Sequence, residues 1–327
     1  MSKIDGKYWD ESWNPIVVLP EFSKENSKGG RTSPTYHCTK CSPGCKSCWA
    51  EKVNLLAGGK PYDGAATEFA ISEKAMNGKI CTPKPKTFFV CDLCDLFHEG
   101  ISWELSFRVL DKINKCPQHQ FLILTKRIER FAQQFRPPAP SNPDKNVMFP
   151  GALFLWDGIP WPLSNLWLGV SVCVKEELSK IDILRSIPAA SREGGTPTGS
   201  THRWVSFGPL LENVGEINLE GIDWVVIEEE SDGYRPGRAS SNIGYGWHAS
   251  ILPIVEQCRK AGIPVWVKQV HLNGALVKRI EQLPFDVRIR EWPNGAGRSE
   301  VSASSILSSS DKICRDGDED NGGCTDA

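Results

Sequence analysis

No apolar run in this 327-residue chain approaches the ~20 residues that a membrane-spanning helix requires. The N-terminal stretch Met1-Ser2-Lys3-Ile4-Asp5-Gly6-Lys7-Tyr8-Trp9 lacks the apolar core of a signal peptide. The expectation is therefore a cytoplasmic protein with no membrane partner. An excess of one charge is missing too. The 38 basic and 40 acidic residues leave a net charge of -2, which exerts no overall pull on nucleic acid and leaves only a local basic groove for that purpose. No glycine-rich phosphate loop follows the first apolar segment, which argues against an open nucleotide-binding sheet. The remaining composition, 40% hydrophobic and 24% charged, suits a globular protein with a real core, as one large domain or two small ones.

Cysteine is the exception. Twelve in a chain without a secretion signal read as reduced thiols, metal ligands or buried small residues rather than as a disulfide scaffold. Four of them, Cys38, Cys41, Cys45 and Cys48, fall in one short stretch, with Ser42-Pro43-Gly44 enforcing a tight turn between them. Thiolates packed this densely share a soft cation. Cys41, Cys45 and Cys48 have the spacing C-x3-C-x2-C, which resembles that of radical S-adenosylmethionine (SAM) enzymes. There, three cysteines hold three irons of a [4Fe-4S] cluster and the fourth iron stays open for SAM. A metal centre with three protein ligands keeps a position for chemistry, whereas a fully ligated one is structural or carries electrons. Zinc is the competing reading, because Cys38/Cys41 and Cys45/Cys48 form two C-x-x-C pairs that can close a tetrahedral site. The short spacer between the pairs falls well below the roughly 12 or more residues usual in zinc modules, so the iron–sulfur reading is preferred.

Further elements follow from periodicity. Ile16-Val17-Val18-Leu19 is expected as a first strand, 49–56 as a helix stopped by Gly58-Gly59, and 65–76 as a second helix. Apolar strands at 87–90, 121–124, 166–170, 204–207, 224–227 and 263–267 then alternate with helices near 103–113, 128–135, 176–187 and 247–260. The proline-rich stretch 137–164 reads as a long loop, either a lid or an insertion. Residues 191–200 are a Gly/Thr/Ser loop, and the Ser/Asp-rich residues 301–327 are expected to form a disordered tail. Such alternation means an α/β fold with a helix-covered parallel sheet. We expect one partial or complete (β/α) barrel over residues 1–300, with its chemistry at the C-terminal strand ends. Cys116, Cys173 and Cys258 lie in apolar-patterned segments and are read as core.

Those strand ends are polar. The second strand leads into Cys91-Asp92-Leu93-Cys94-Asp95-Leu96-Phe97-His98-Glu99, and the third ends in Thr125-Lys126-Arg127. The fourth and fifth end in Ser171 and Ser206, the sixth in Glu228-Glu229-Glu230-Ser231, and the last in Lys268-Gln269. Cations and carboxylates gathered at one end form a pocket for a charged ligand such as SAM. Each group also has a bland role. Lys126-Arg127 can be a solvated helix start, His98 a local cap, and the glutamates a solvated loop. Cys91 and Cys94 read equally as supporting thiols, a redox pair or half of a zinc site.

A family resemblance rests on segments that occur in order. They are Trp13-Asn14-Pro15, Ser42-Pro43-Gly44-Cys45-x-x-Cys48, Asp95-Leu96-Phe97-His98, Leu124-Thr125-Lys126-Arg127 and Leu168-Gly169-Val170-Ser171-Val172. Val205-Ser206-Phe207-x-Pro209-Leu210-Leu211, Asp223-Trp224-Val225, Glu230-Ser231, Arg235-Pro236 and Lys268-Gln269 complete the series. The chain resembles, over residues 9–272, a phage-associated family of unknown function named for a three-cysteine motif, which is itself similar to radical SAM barrels. The family's C-x6-C-x2-C spacing maps to Cys38, Cys45 and Cys48, so two ligand sets remain open and share Cys45 and Cys48. The chain departs from the family where Gly-Gly-Glu-Ser is replaced by Glu228-Glu229-Glu230-Ser231. Gly208 and Cys173 stand where glutamates are expected, and Cys91 and Cys94 where small polar residues are expected.

Together these readings give a radical-SAM-like iron–sulfur protein. Cys38, Cys41, Cys45 and Cys48 form the metal set, and Lys126, Arg127, Glu230, Ser231 and Lys268 are candidate contacts for SAM or substrate. The substrate itself is unidentified, with nucleic acid or a protein encoded alongside it as candidate partners. The alternative is a non-catalytic zinc- or Fe–S-binding protein with a structural or regulatory role.

Overall fold

A computed structural model describes residues 6–18, 35–64, 68–135, 153–154, 159–188, 201–231, 246–273 and 275–293. The first part of the chain forms β1 (Glu11–Trp13), β2 (Ile16–Val18), α1 (Trp49–Leu56), β3 (Phe69–Ile71) and α2 (Glu73–Met76). Strand and helix then alternate through β4 (Thr87–Val90), α3 (Trp103–Asn114), β5 (Gln120–Thr125) and α4 (Ile128–Ala132). A small hairpin, β6 (Leu153–Phe154) and β7 (Pro160–Trp161), precedes β8 (Leu166–Ser171), α5 (Ser179–Ser186) and β9 (His202–Leu210). The remaining elements are β10 (Trp224–Glu229), α6 (Gly246–Ala261), β11 (Val265–Leu272) and β12 (Ala275–Val277).

Eight strands make one sheet in the order β1-β4-β5-β8-β9-β10-β11-β12. Every pairing from β1 to β11 is parallel, and β12 closes the far edge as an antiparallel hairpin with β11. The fold is thus mixed α/β around a mostly parallel sheet, with six α-helices among the described residues. None of those helices is long and apolar enough to cross a membrane.

Strand residues alternate between two cores, as the two-residue period of a strand requires. One face carries Phe88, Val90, Phe121, Ile123, Leu168, Val205, Phe207, Val225 and Ile227, packed with Phe107, Leu110, Phe131, Leu184, Ile251 and Val255 from the helices. The other face carries Phe89, Leu122, Trp167, Trp204, Trp224, Val226 and Trp266, gathered around Tyr8. The Tyr8 ring lies 6.3 Å from Phe89 and 6.1 Å from Trp266, whose strands stand five positions apart in the sheet. In a flat sheet five spacings would separate those strands by about 24 Å. The sheet therefore curls strongly around Tyr8, and aromatic rings fill its concave side. Gly169 makes this possible on β8, because a Cβ there would lie 2.4 Å from the Trp204 indole. That indole donates to the carbonyls of Ile123 and Trp167.

Two expected elements differ. The sheet begins at Glu11–Trp13, while Ile16–Val18 leaves it to pair antiparallel with Phe69–Ile71. The helix expected over 65–76 is strand β3 followed by the single turn α2, whose N-cap Ser72 accepts the Ala75 N–H; residues 65–67 lie outside the described set. Phe69 packs against the rings of His37 and His98, a tertiary contact that overrides helical periodicity. The proline-rich stretch contains the β6–β7 hairpin within its described part. The tail 301–327 lies outside the described residues.

Candidate functional site

The cysteine-rich loop sits on the C-terminal edge of the parallel strands and is fixed there at two points. The first is Arg127, which directly follows β5 and Lys126. Its Nη2 donates to both the carbonyl and Oγ1 of Thr39 at 2.8 Å, and its Nη1 lies 3.7 Å from Cys38 Sγ. The same guanidinium donates through Nε to both oxygens of Glu99, at 3.0 and 2.9 Å, and through Nη1 to Asp95 Oδ2 at 3.3 Å. Asp95 in turn accepts from Phe97 N, Thr125 Oγ1 and Lys126 N. A buried carboxylate with four donors is fully satisfied, and this one binds the ends of β4 and β5 to the loop.

The second fixed point is the turn Ser42-Pro43-Gly44. Ser42 caps a short 3-10 turn, Pro43–Cys45, by accepting the Gly44 N–H. A Cβ on Gly44 would fall 2.3 Å from Cys173 Sγ and 3.1 Å from Pro209 Cδ. Glycine here serves close approach, letting the loop backbone rest on the residues that follow β8 and on β9. Cys48 then forms the N-cap position of α1, and Glu51 inside that helix accepts the Tyr62 N–H and pairs with Lys40 at 3.1 Å.

The four thiols are electrostatically unequal. Cys41 as hydrogen-bond donor, aided by Lys126, lowers the pKa of Cys45 and favours its thiolate. The same bond raises Cys41, while burial raises Cys48 and pushes Cys38 up to about 12. A metal must displace the protons of those three thiols, which couples binding to pH. Lys126 donates to Ser171 Oγ at 2.5 Å; burial disfavours its charge, but Cys173, Cys45, Glu177 and Asp95 hold it protonated. Two cations, Lys126 and Arg127, thus face the thiols and would offset the charge of an anionic cluster. Among the described residues no three His, Cys, Asp or Glu side chains converge on a point that would hold a metal ion. The donor set, four cysteines in one short loop beside two cations, fits a thiolate-ligated centre in chemistry.

His98 stands beside the loop. Its Nδ1 lies 3.0 Å from the Gly100 N–H and accepts it, so the neutral ring carries its proton on Nε2, which donates to Thr39 Oγ1 at 3.0 Å. Burial, then Arg127, lowers its pKa to about 4.

The other candidate contacts occupy the β10–β11 side of the same edge in their own network. Lys268 pairs with Glu228, and Gln269 donates to Glu229 O and to Ser231 Oγ. Glu229 accepts from the His271 N–H and ring. Glu230 is half-buried and Ser231 exposed. Glu228 fills the space above Gly208, where a Cβ would lie 2.7 Å from its side chain. Glu228 thus places a carboxylate from the adjacent strand against Gly208. Cys116, Cys173 and Cys258 are buried, as their patterning implied. Arg235 lies outside the described residues.

A protein family of unknown function, DUF5131, matches residues 31–282. The chain belongs to DUF5131. The matched span takes in the cysteine-rich loop, both of its anchors and six of the seven parallel strands, β1 lying outside it. No curated protein and no solved structure matches the chain.

Sequence reasoning had singled out the cysteines, Lys126 and Arg127, and the structure brings these together. It passed over Thr39 and named Asp95 and Glu99 only within the polar run after the second strand, without the contacts that the three make with Arg127. Asp95 opens the Asp-Leu-Phe-His segment and Glu99 follows it, and carboxylates in the polar run after a buried strand were the available signal.

Proposed function

We propose that the protein is a radical-SAM-like iron–sulfur enzyme on a partial (β/α) barrel. Cys45, Cys48 and either Cys41 or Cys38 would hold a [4Fe-4S] cluster, and SAM would be the co-substrate. The finer family placement, among phage-associated three-cysteine proteins, belongs to the same reading. The observation that carries it is the seating of a four-cysteine loop on the C-terminal edge of a curled parallel sheet, the edge where barrels of this class do chemistry. When bound, such a cluster would supply the electron for reductive cleavage of SAM. Arg127 and Asp95 orient the loop, Gly44 sets its distance from the strands, and Lys126 offsets negative charge beside Cys45. Glu230, Ser231 and Lys268 are retained as contacts for SAM or substrate, and the substrate class, nucleic acid or protein, is left to experiment. The test is anaerobic incubation of reconstituted protein with SAM and dithionite. Formation of 5′-deoxyadenosine and methionine, abolished in Cys45→Ala, is expected. Intact SAM over a fully loaded cluster would overturn the enzymatic reading.

A second reading has its own support. Arg127 and Lys268 are engaged by protein carboxylates, which suits a non-catalytic metal-binding protein whose zinc or Fe–S centre is structural or regulatory. Metal content with SAM inert is the result that favours it.

A further inference from the structure

Outside the cysteine-rich loop, one pair of thiols is held together by the backbone. Strand β4 ends at Val90, and the next residue, Cys91, adopts φ 54°, a left-handed conformation uncommon for residues other than glycine and asparagine. The Cys91 N–H donates to the Trp13 carbonyl at 2.9 Å, and the Cys94 N–H closes the turn on the Cys91 carbonyl at 3.2 Å. Leu93, inside this C-x-x-C, is fixed at both backbone groups. Its N–H donates to Asn14 Oδ1 at 3.2 Å, and its carbonyl accepts the Tyr62 hydroxyl at 2.5 Å. Such a turn holds its first and last Cα atoms within about 7 Å, which overlaps the roughly 4.4–6.8 Å window of a disulfide.

We propose that Cys91 and Cys94 are a reversible dithiol–disulfide pair whose co-reactant is a low-molecular-weight disulfide. Access sets the order of events, because Cys94 is partly exposed and Cys91 is buried. The Cys94 sulfur, having lost its proton, attacks one sulfur of the co-reactant, breaks its S–S bond and releases one thiol. Cys91, deprotonated in turn, attacks the Cys94 sulfur and releases the second thiol. One S–S bond forms and one breaks, and two electrons and two protons pass from the pair to the co-reactant. Because Asn14 and Tyr62 hold the turn from outside, closing the ring orders little additional chain, which favours the internal bond over a lasting mixed disulfide. The inference does not depend on what metal the cysteine-rich loop binds.

Both cysteines fall in one tryptic peptide, residues 87–108. The full chain is equilibrated anaerobically in glutathione buffers of graded ratio, quenched in acid, alkylated and digested. The expected result is concerted loss of two alkyl labels from that peptide, which instead appears two hydrogens lighter, with a single midpoint. Cys91→Gly suits the left-handed φ and so preserves the turn. It should remove the internal bond and leave Cys94 carrying glutathione. Retention of both labels at every ratio, or pairing of Cys94 with Cys38, would overturn the proposal.

Discussion

Replacing Arg127 with methionine removes the strut between the sheet edge and the cysteine-rich loop while keeping an apolar stem of similar length. The guanidinium side chain is 5% exposed and contacts Asp95, which is 9% exposed, along with Glu99 and Thr39. Removing one member of a buried ion pair typically costs ~3–5 kcal/mol. The low end applies here, because Asp95 keeps Phe97 N, Thr125 Oγ1 and Lys126 N as donors, and Glu99, 65% exposed, can turn to water. The expected loss is therefore ~3 kcal/mol. Arg127→Lys keeps the charge but not the fork, and should recover less than half of that. Adding Asp95→Asn to Arg127→Met removes the orphaned charge, so the double variant should be more stable than the two single losses imply, by ~1–3 kcal/mol. Urea unfolding followed by tryptophan fluorescence on the four proteins of the cycle measures both quantities. Alkylation of Cys38 should also quicken in Arg127→Met, because its cover is lost. A loss under ~1 kcal/mol, with no coupling to Asp95, would refute the claim that this pair anchors the loop.

Three other outcomes follow from the same geometry. Gly44→Ala places a methyl against Cys173 and Pro209; overpacking of this kind costs ~1–3 kcal/mol, and metal retention should fall more than the melting temperature does, as read by metal analysis beside thermal unfolding. His98 favours its neutral form in the fold, with its pKa lowered from 6.5 to about 4. Its contribution is fully present above pH 6.5 and is lost as pH falls toward 4, by up to about 3 kcal/mol; urea midpoints of His98→Gln should therefore change less over that range than those of the parent. Tyr8→Ala opens a void among Trp204, Trp224 and Trp266 and should cost ~3–5 kcal/mol with a red shift in tryptophan emission, both read in one urea titration.

The parallel strands were readable because each is a short apolar run between polar ends, and Phe121–Leu124 and Trp224–Ile227 sit inside β5 and β10 as expected. Helix 49–56 was readable because an apolar-periodic stretch ends at Gly58, which takes φ 89°. Strand β1 was not, since Glu11-Ser12-Trp13 carries no apolar pattern and is a strand only because Phe88, Phe89 and Val90 pair with it. Tyr8 was passed over for the same reason: its role depends on sheet curvature, which no local window contains. The cysteine-rich loop was legible as a donor set but not as a seated one. Nothing near Cys38 in sequence points to Arg127, 89 positions away, as the group that holds it. The contact between Glu228 and Gly208 shows the same limit, since the two residues lie in separate segments and meet only across adjacent strands.

Iron, sulfide and zinc content of anaerobically purified protein, with its visible spectrum, tests the central claim most directly. The account predicts about four irons per chain, the count of one cubane cluster, in brown protein that loses its iron in Cys45→Ala and Cys48→Ala. One zinc per chain and no iron would contradict it and leave the loop a structural knot on the sheet edge.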